Sequence, residues 1–172
     1  MYDKIIGYAK ELDQISRMRR RDFHKYPETA WYEMRTSAII AKTLTELGYE
    51  VLTGKAVCLE TERYGVPSAE ALAEHAALAL EQGAPAEYLT EEMKQGFTGV
   101  IGILRCGEGP VVGLRFDIDA LGLIEDETPS HRPFAEGFSS QNPGMMHACG
   151  HDAHAVIRLG AGEVLVRIRD SL

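Results

Sequence analysis

VIGILRCGEGPVVGLRFDIDAL, residues 100–121, is the stretch that decides the fold. Two runs rich in β-branched residues, VIGIL (100–104) and VVGLRF (111–116), flank a turn built on Gly107, Gly109 and Pro110. That is the pattern of two consecutive strands. The second run leads straight into Asp117-Ile118-Asp119. Side chains two apart on an extended backbone share a face, so both carboxylates project together from a strand end. In open α/β sheets ligands gather at such ends. The plainer alternative is that one aspartate caps a turn and the other is solvated.

Helical patterns lie on both sides of this stretch. Ile5, Ile6, Ala9, Leu12, Ile15 and Met18 recur at helical spacing, which predicts a first helix over residues 3–23, closed by Pro27. A second helix is predicted from Glu33 to Leu47, with Ile40, Leu44 and Leu47 on one stripe and Gly48 just past its end, before a short strand from Tyr49 to Leu52. Residues 67–95 read as a helical insertion: Pro67-Ser68 opens an alanine-rich helix ending at Gly83, and Pro85 to Gln95 makes a second helical piece with no pointed chemistry. After the strands comes a long polar loop over 122–146. A last helix from Asp152 to Ile168 is expected to face inward through Ile157, Ala161, Val164, Leu165 and Ile168. Helices alternating with strands predict an α/β layered domain.

The chain of 172 residues is long enough for one domain with a real core, and its 45% apolar content excludes a disordered polymer. A net charge of −8 argues against a nucleic-acid backbone as partner. The one basic run, Arg17 to Arg21, reads as a solvated helix face. No apolar run approaches the roughly 18 residues that span a bilayer, and the acidic-mixed N-terminus does not read as a signal peptide. Three widely spaced cysteines, Cys58, Cys106 and Cys149, argue against a disulfide framework and for a cytoplasmic location.

The densest chemistry is MMHACGHDAH, residues 145–154. Cys149 and His151 are two apart, so an extended backbone presents thiolate and imidazole together, a donor pair that zinc and similar ions favour. His147 has the same parity, Gly150 permits a tight bend, Asp152 stands where the last helix begins and would cap it, and His154 sits in its first turn. A lone Cys-x-His is a weak signal, but five such groups together, with an acidic pair upstream, favour a metal site over a Cys-His nucleophile. A reactive thiol at Cys149 is the competing reading. In RRDFHKYPE, residues 20–28, His24 and Glu28 are four apart, but Pro27 spoils the helical register and His24 reads as a supporting residue.

Taken in order, RRDFHKYPETAWYEMRT, LRFDIDAL and HACGHDAHA resemble the dinuclear metal amidohydrolases of the aminoacylase and carboxypeptidase type, over essentially the whole chain. That resemblance implies a three-layer α/β/α zinc-peptidase-like catalytic domain, of which residues 1–172 form the N-terminal part without a lid or dimerisation domain. It implies a site for two manganese or zinc ions, with Cys149 and His151 as ligands and Asp119 as an acid that orients them. Asp117 would play a weaker version of that role, and His147, Asp152 and His154 would support the ligands or line the pocket. The reaction implied is hydrolysis of the amide of p-aminobenzoyl-glutamate or a related N-acyl amino acid, a small-molecule substrate. The partner implied is a second copy of the chain or a second hydrolase subunit. The family's general base is a glutamate in a Pro-Ala-Glu-Glu segment beyond the last helix, and no such pair follows the histidines here. The 172 residues alone are therefore expected to be inactive. The alternative is a non-catalytic remnant acting only by association, or a thiol sensor at Cys149.

Overall fold

The computed structural model describes all residues 1–172. The chain opens with α1 (Tyr2–Glu11) and α2 (Asp13–Lys25), where the sequence predicts one helix. Leu12 between them keeps a right-handed helical backbone, its amide bonds to the Tyr8 carbonyl, and its side chain is buried. The junction is thus a bend in one rod, and Tyr26 before Pro27 ends it outside the helical region. The basic run is not simply solvated. Arg20 reaches Asp152, Arg19 approaches Glu163, and Arg21 pairs with Glu136, so α2 is fastened to the last helix and to the loop before it.

The third helix, α3 (Met34–Glu46), carries the centre of the core through Met34, Ala38, Ile40, Ala41 and Leu44. It stops as predicted at Gly48, whose φ of +84° no β-carbon favours. The Gly48 amide returns to Thr45 O at 2.9 Å and the Tyr49 amide to Leu44 O at 3.0 Å, satisfying two orphan carbonyls. The chain then enters β1 (Glu50–Thr53), which pairs antiparallel with β2 (Val100–Ile103) in the register Glu50↔Ile103 to Thr53↔Val100. Gly102 lets this ribbon close onto α3: a β-carbon there would stand 2.9 Å from Leu44.

Between the strands, α4 (Ala69–Glu81) starts on Ser68, whose hydroxyl accepts from the Ala71 amide at 3.2 Å. Leu72, Ala76 and Ala79 join the core from this helix. The second helical piece predicted for 85–95 is instead a set of turns ending in a 3₁₀ turn over Met93–Gln95. The insertion is also less inert than its composition suggests, because His75 points inward to Glu28.

VVGLRF does not form the predicted strand. The sheet has two strands only, and Val111, Val112 and Leu114 are exposed. A strand needs backbone partners, and β2 is paired on one edge by β1 alone. Residues 104–116 instead border a groove of about 690 Å³ whose other walls include Leu44, Tyr49 and Leu165. These residues give helices packed on a two-stranded antiparallel ribbon, a mixed helix and strand fold.

After a short α5 (Arg132–Ala135), the last helix is α6 (His151–Arg167), lying against α1, α2 and α3. Its buried side is Asp152, Ala155, Val156, Leu159 and Gly162, and of the predicted inward residues only Ile168, just past its end, is buried. Ile157 is 56% exposed. Apolar residues occur almost all round α6, so the spacing could not pick the inward face, and polar Asp152 holds it instead. No helix is long and apolar enough to cross a membrane.

Candidate metal centre

Three stretches that stood apart in the sequence are stitched together by backbone hydrogen bonds. The Ala120 amide donates to Glu28 O at 2.7 Å, forming a parallel bridge between Thr29 and Ala120. Leu121 and Met146 exchange both bonds, at 3.0 and 2.9 Å. FDIDAL is thereby fixed between KYPET on one side and MMHACGHD on the other, and Asp119 arrives at the start of α6.

Gly150 opens α6 in the left-handed conformation (φ +84°), so the chain turns sharply and His151 becomes the first helical residue. His154 follows three positions later on the same face, and the two imidazoles stack with centroids 5.0 Å apart and planes 24° apart. Asp117, His151 and His154 each bring one donor atom into a group lying within 4.8 Å of one another. His151 Nδ1 lies 2.9 Å from Asp119 O and 3.0 Å from Asp119 Oδ1, both acceptors, so it carries the proton and leaves the Nε2 lone pair for a cation. Two imidazoles and a carboxylate suit zinc or manganese, and a carboxylate-oriented histidine is the usual support of a ligating imidazole. The residues present fit a divalent metal.

The sequence-derived residues thus fall into distinct places. Asp117 and His154 stand in the cluster with His151, and Asp119 orients that ring. Cys149 is free and exposed, outside the group of three. Asp152 does not cap α6; it is its second residue, fully buried, bound by Arg20 Nε and His24 Nδ1, each 2.9 Å from Oδ2. His147 is buried with neither ring nitrogen bonded. Burial, with the nearby His24 and His151 rings disfavouring a further positive charge, holds its pKa down to about 4, against the pull of Asp152 and Asp119. His24 lies between two carboxylates, Asp152 and Glu125, the latter 2.8 Å from Nε2. Burial disfavours its charge, yet hydrogen bonds to Asp152 and Glu125 outweigh this and raise its pKa.

Glu125 and Glu33 give no sequence signal, and Glu28 stands out only by its spacing from His24. Glu125 sits in a polar loop, but is buried and accepts from the Ser140 amide at 2.5 Å and pairs with His131 at 2.8 Å. Burial would raise its pKa, and the Ser140, His24 and His131 hydrogen bonds together lower it. Glu28 accepts from the Arg35 and Thr36 amides, both at 2.8 Å, capping α3 from outside the helix, and pairs with His75 at 3.0 Å. Glu33, buried beside Thr98, is pushed up to about 7 by desolvation, with Glu28 and Asp119 adding like charge.

The class this fold and site define is a mixed helix and strand protein with a histidine-aspartate cluster at a helix start that could hold a divalent metal. Residues 113–172 match peptidase family M20/M25/M40. The chain is 44% identical over 154 residues to one subunit of the p-aminobenzoyl-glutamate hydrolase of Escherichia coli, covering 89% of this chain and 35% of that protein. It is 43% identical over 166 residues to indole-3-acetyl-aspartic acid hydrolase of Enterobacter agglomerans, covering 96% of this chain and 38% of that one. A crystal structure of aminobenzoyl-glutamate utilization protein from Klebsiella pneumoniae matches with a TM-score of 0.75 and 32% identity, over 95% of this chain and 34% of that one. The chain belongs to the M20/M25/M40 peptidases, and it spans about a third of the length of the relatives it matches.

Proposed function

We propose that residues 1–172 supply part of the metal site of an amidohydrolase acting on p-aminobenzoyl-glutamate or a closely related N-acyl amino acid. The observation that carries this reading is the cluster of Asp117, His151 and His154, with His151 held in one tautomer by Asp119. Two relatives, each more than 40% identical and named for hydrolysing such amides, supply the substrate class. In this reading His151, Asp117 and His154 hold a manganese or zinc ion. Cys149, exposed two residues before His151, is a further donor to a two-ion site. A bound divalent metal supplies Lewis acidity at the amide carbonyl and lowers the pKa of water. Asp119 keeps the His151 proton on Nδ1, and His147 and Asp152 support the ligands from behind. A three-layer α/β/α catalytic domain and a cytoplasmic location belong to the same proposal, the latter supported by three unpaired cysteines. So does a partner, either a second copy or a different hydrolase chain.

No glutamate pair follows the histidine cluster in these residues, so the 172-residue chain is expected to bind metal without hydrolysing substrate. The test is an assay for p-aminobenzoate release by the chain with manganese or zinc, run beside a measurement of bound metal. Metal uptake without hydrolysis is the expected result. Hydrolysis by the chain alone would overturn the expectation of inactivity, and a chain that takes up no metal would overturn the site.

A further inference from the structure

We propose that His24 is a positioning residue for the metal centre, acting through Asp152 to fix the first turn of α6; this rests on the metal-site reading above. His24 stands in the last turn of α2, 127 residues before His151 by numbering, and is buried. Nδ1 lies 2.9 Å from Asp152 Oδ2 and Nε2 lies 2.8 Å from Glu125 Oε1. Both partners are carboxylates that accept, so the ring donates from both nitrogens and places one positive charge between two negative ones. Arg20, one turn earlier on α2, gives the same Asp152 oxygen a second charged donor at 2.9 Å. The other Asp152 oxygen accepts from the Ala153 amide at 2.8 Å.

Asp152 is therefore anchored on three sides, and its neighbours in the helix are the two imidazoles of the cluster. His151 precedes it and His154 lies two positions beyond. Asp119 orients the ring of His151, but the His24–Asp152 contact ties the turn itself to α2. A rotation of that turn would carry both imidazoles away from Asp117. Glu125 is braced in turn by the Ser140 amide and by His131, and the Phe138 ring packs edge-on against His24 at 5.6 Å, so His24 has a single place to sit. Removing the group that supports a metal ligand costs about 10- to 100-fold in metal affinity.

The experiment is a Co²⁺ titration followed by visible absorption, on the 172-residue chain and its His24→Ala, His24→Gln and Leu72→Ala variants, with urea unfolding alongside. Leu72 is a buried core residue on α4 and takes no part in the hydrogen bonds of Asp152. His24→Ala is expected to weaken Co²⁺ binding by about tenfold or more. His24→Gln, whose amide still offers two donors, should recover part of that loss, and Leu72→Ala should bind like the wild type although less stable. Binding within about twofold of wild type in His24→Ala, or an equal loss in Leu72→Ala, overturns the positioning role. If His24→Ala does not fold, the comparison rests on His24→Gln, which must then fall between wild type and a tenfold loss. A wild-type chain that binds no Co²⁺ sinks the metal-site reading itself, whereas intact wild-type binding with an unaffected His24→Ala sinks only this inference.

Discussion

Glu33 and His147 are both buried, and desolvation shifts them in opposite directions because their charged forms have opposite sign. Glu33 is raised from 4.5 to about 7, so its contribution is fully present below pH 4.5 and is lost as pH rises through 7, by about 3 kcal/mol at most. Glu33→Gln should therefore raise the urea midpoint at pH 8 while changing little at pH 4.5. An unchanged difference between the two pH values would show that Glu33 ionises freely. His147 is lowered from 6.5 to about 4, so the fold loses stability as pH falls from 6.5 toward 4. His147→Phe, which removes a titrating ring of similar size, should flatten that acid limb in the same unfolding series. Residue identity alone made the aspartate pair and the histidine cluster legible. It did not reveal that Asp152 is bound from α2, nor that Glu125 is buried, because both facts depend on contacts more than 100 residues apart in the chain.

Helix ends are local, and here the sequence is a good guide. Ser68 and Gly48 announce the start of α4 and the end of α3, and both do what their chemistry requires. Ser68→Ala should cost about 1 kcal/mol through the lost cap, and Gly48→Ala about 1–2 kcal/mol through the left-handed backbone; thermal unfolding measures both. Strands are non-local, and there the reading held for β1 and β2 but failed for the third run. VVGLRF has the composition of a strand, but composition supplies no neighbour, and without one its backbone makes no ladder. The inward face of α6 was equally hidden. With apolar side chains on nearly every side, it is Asp152, a polar residue, that marks the buried stripe, because its two cationic partners lie beneath it.

For the whole molecule, the histidine-carboxylate chain from His131 through Glu125 and His24 to Asp152 ties the 122–146 loop, α2 and α6 into one unit. Its pH dependence follows from the shifts of its members. His24 is raised, so its contribution fades as pH climbs through its folded value, while Glu125 and Asp152 are lowered, so theirs fades as pH falls through their own. For Asp152, burial opposes this lowering, and His24 and Arg20 prevail over it. The unit should hold best in the mildly acidic range between the carboxylate and imidazole values, and hydrogen-exchange protection in residues 122–146, taken relative to the intrinsic rate at each pH, should be greatest there. A monotonic change across the range would contradict that. Everything proposed for the site depends on His151, with Asp117 and His154, holding a divalent metal. The direct measurement is the metal content of the purified chain after manganese or zinc loading and dialysis, by emission spectrometry, for wild type and His151→Ala. Bound metal in the wild type and its loss in the variant is the expected outcome. Equal metal in both, or none in the wild type, would contradict it.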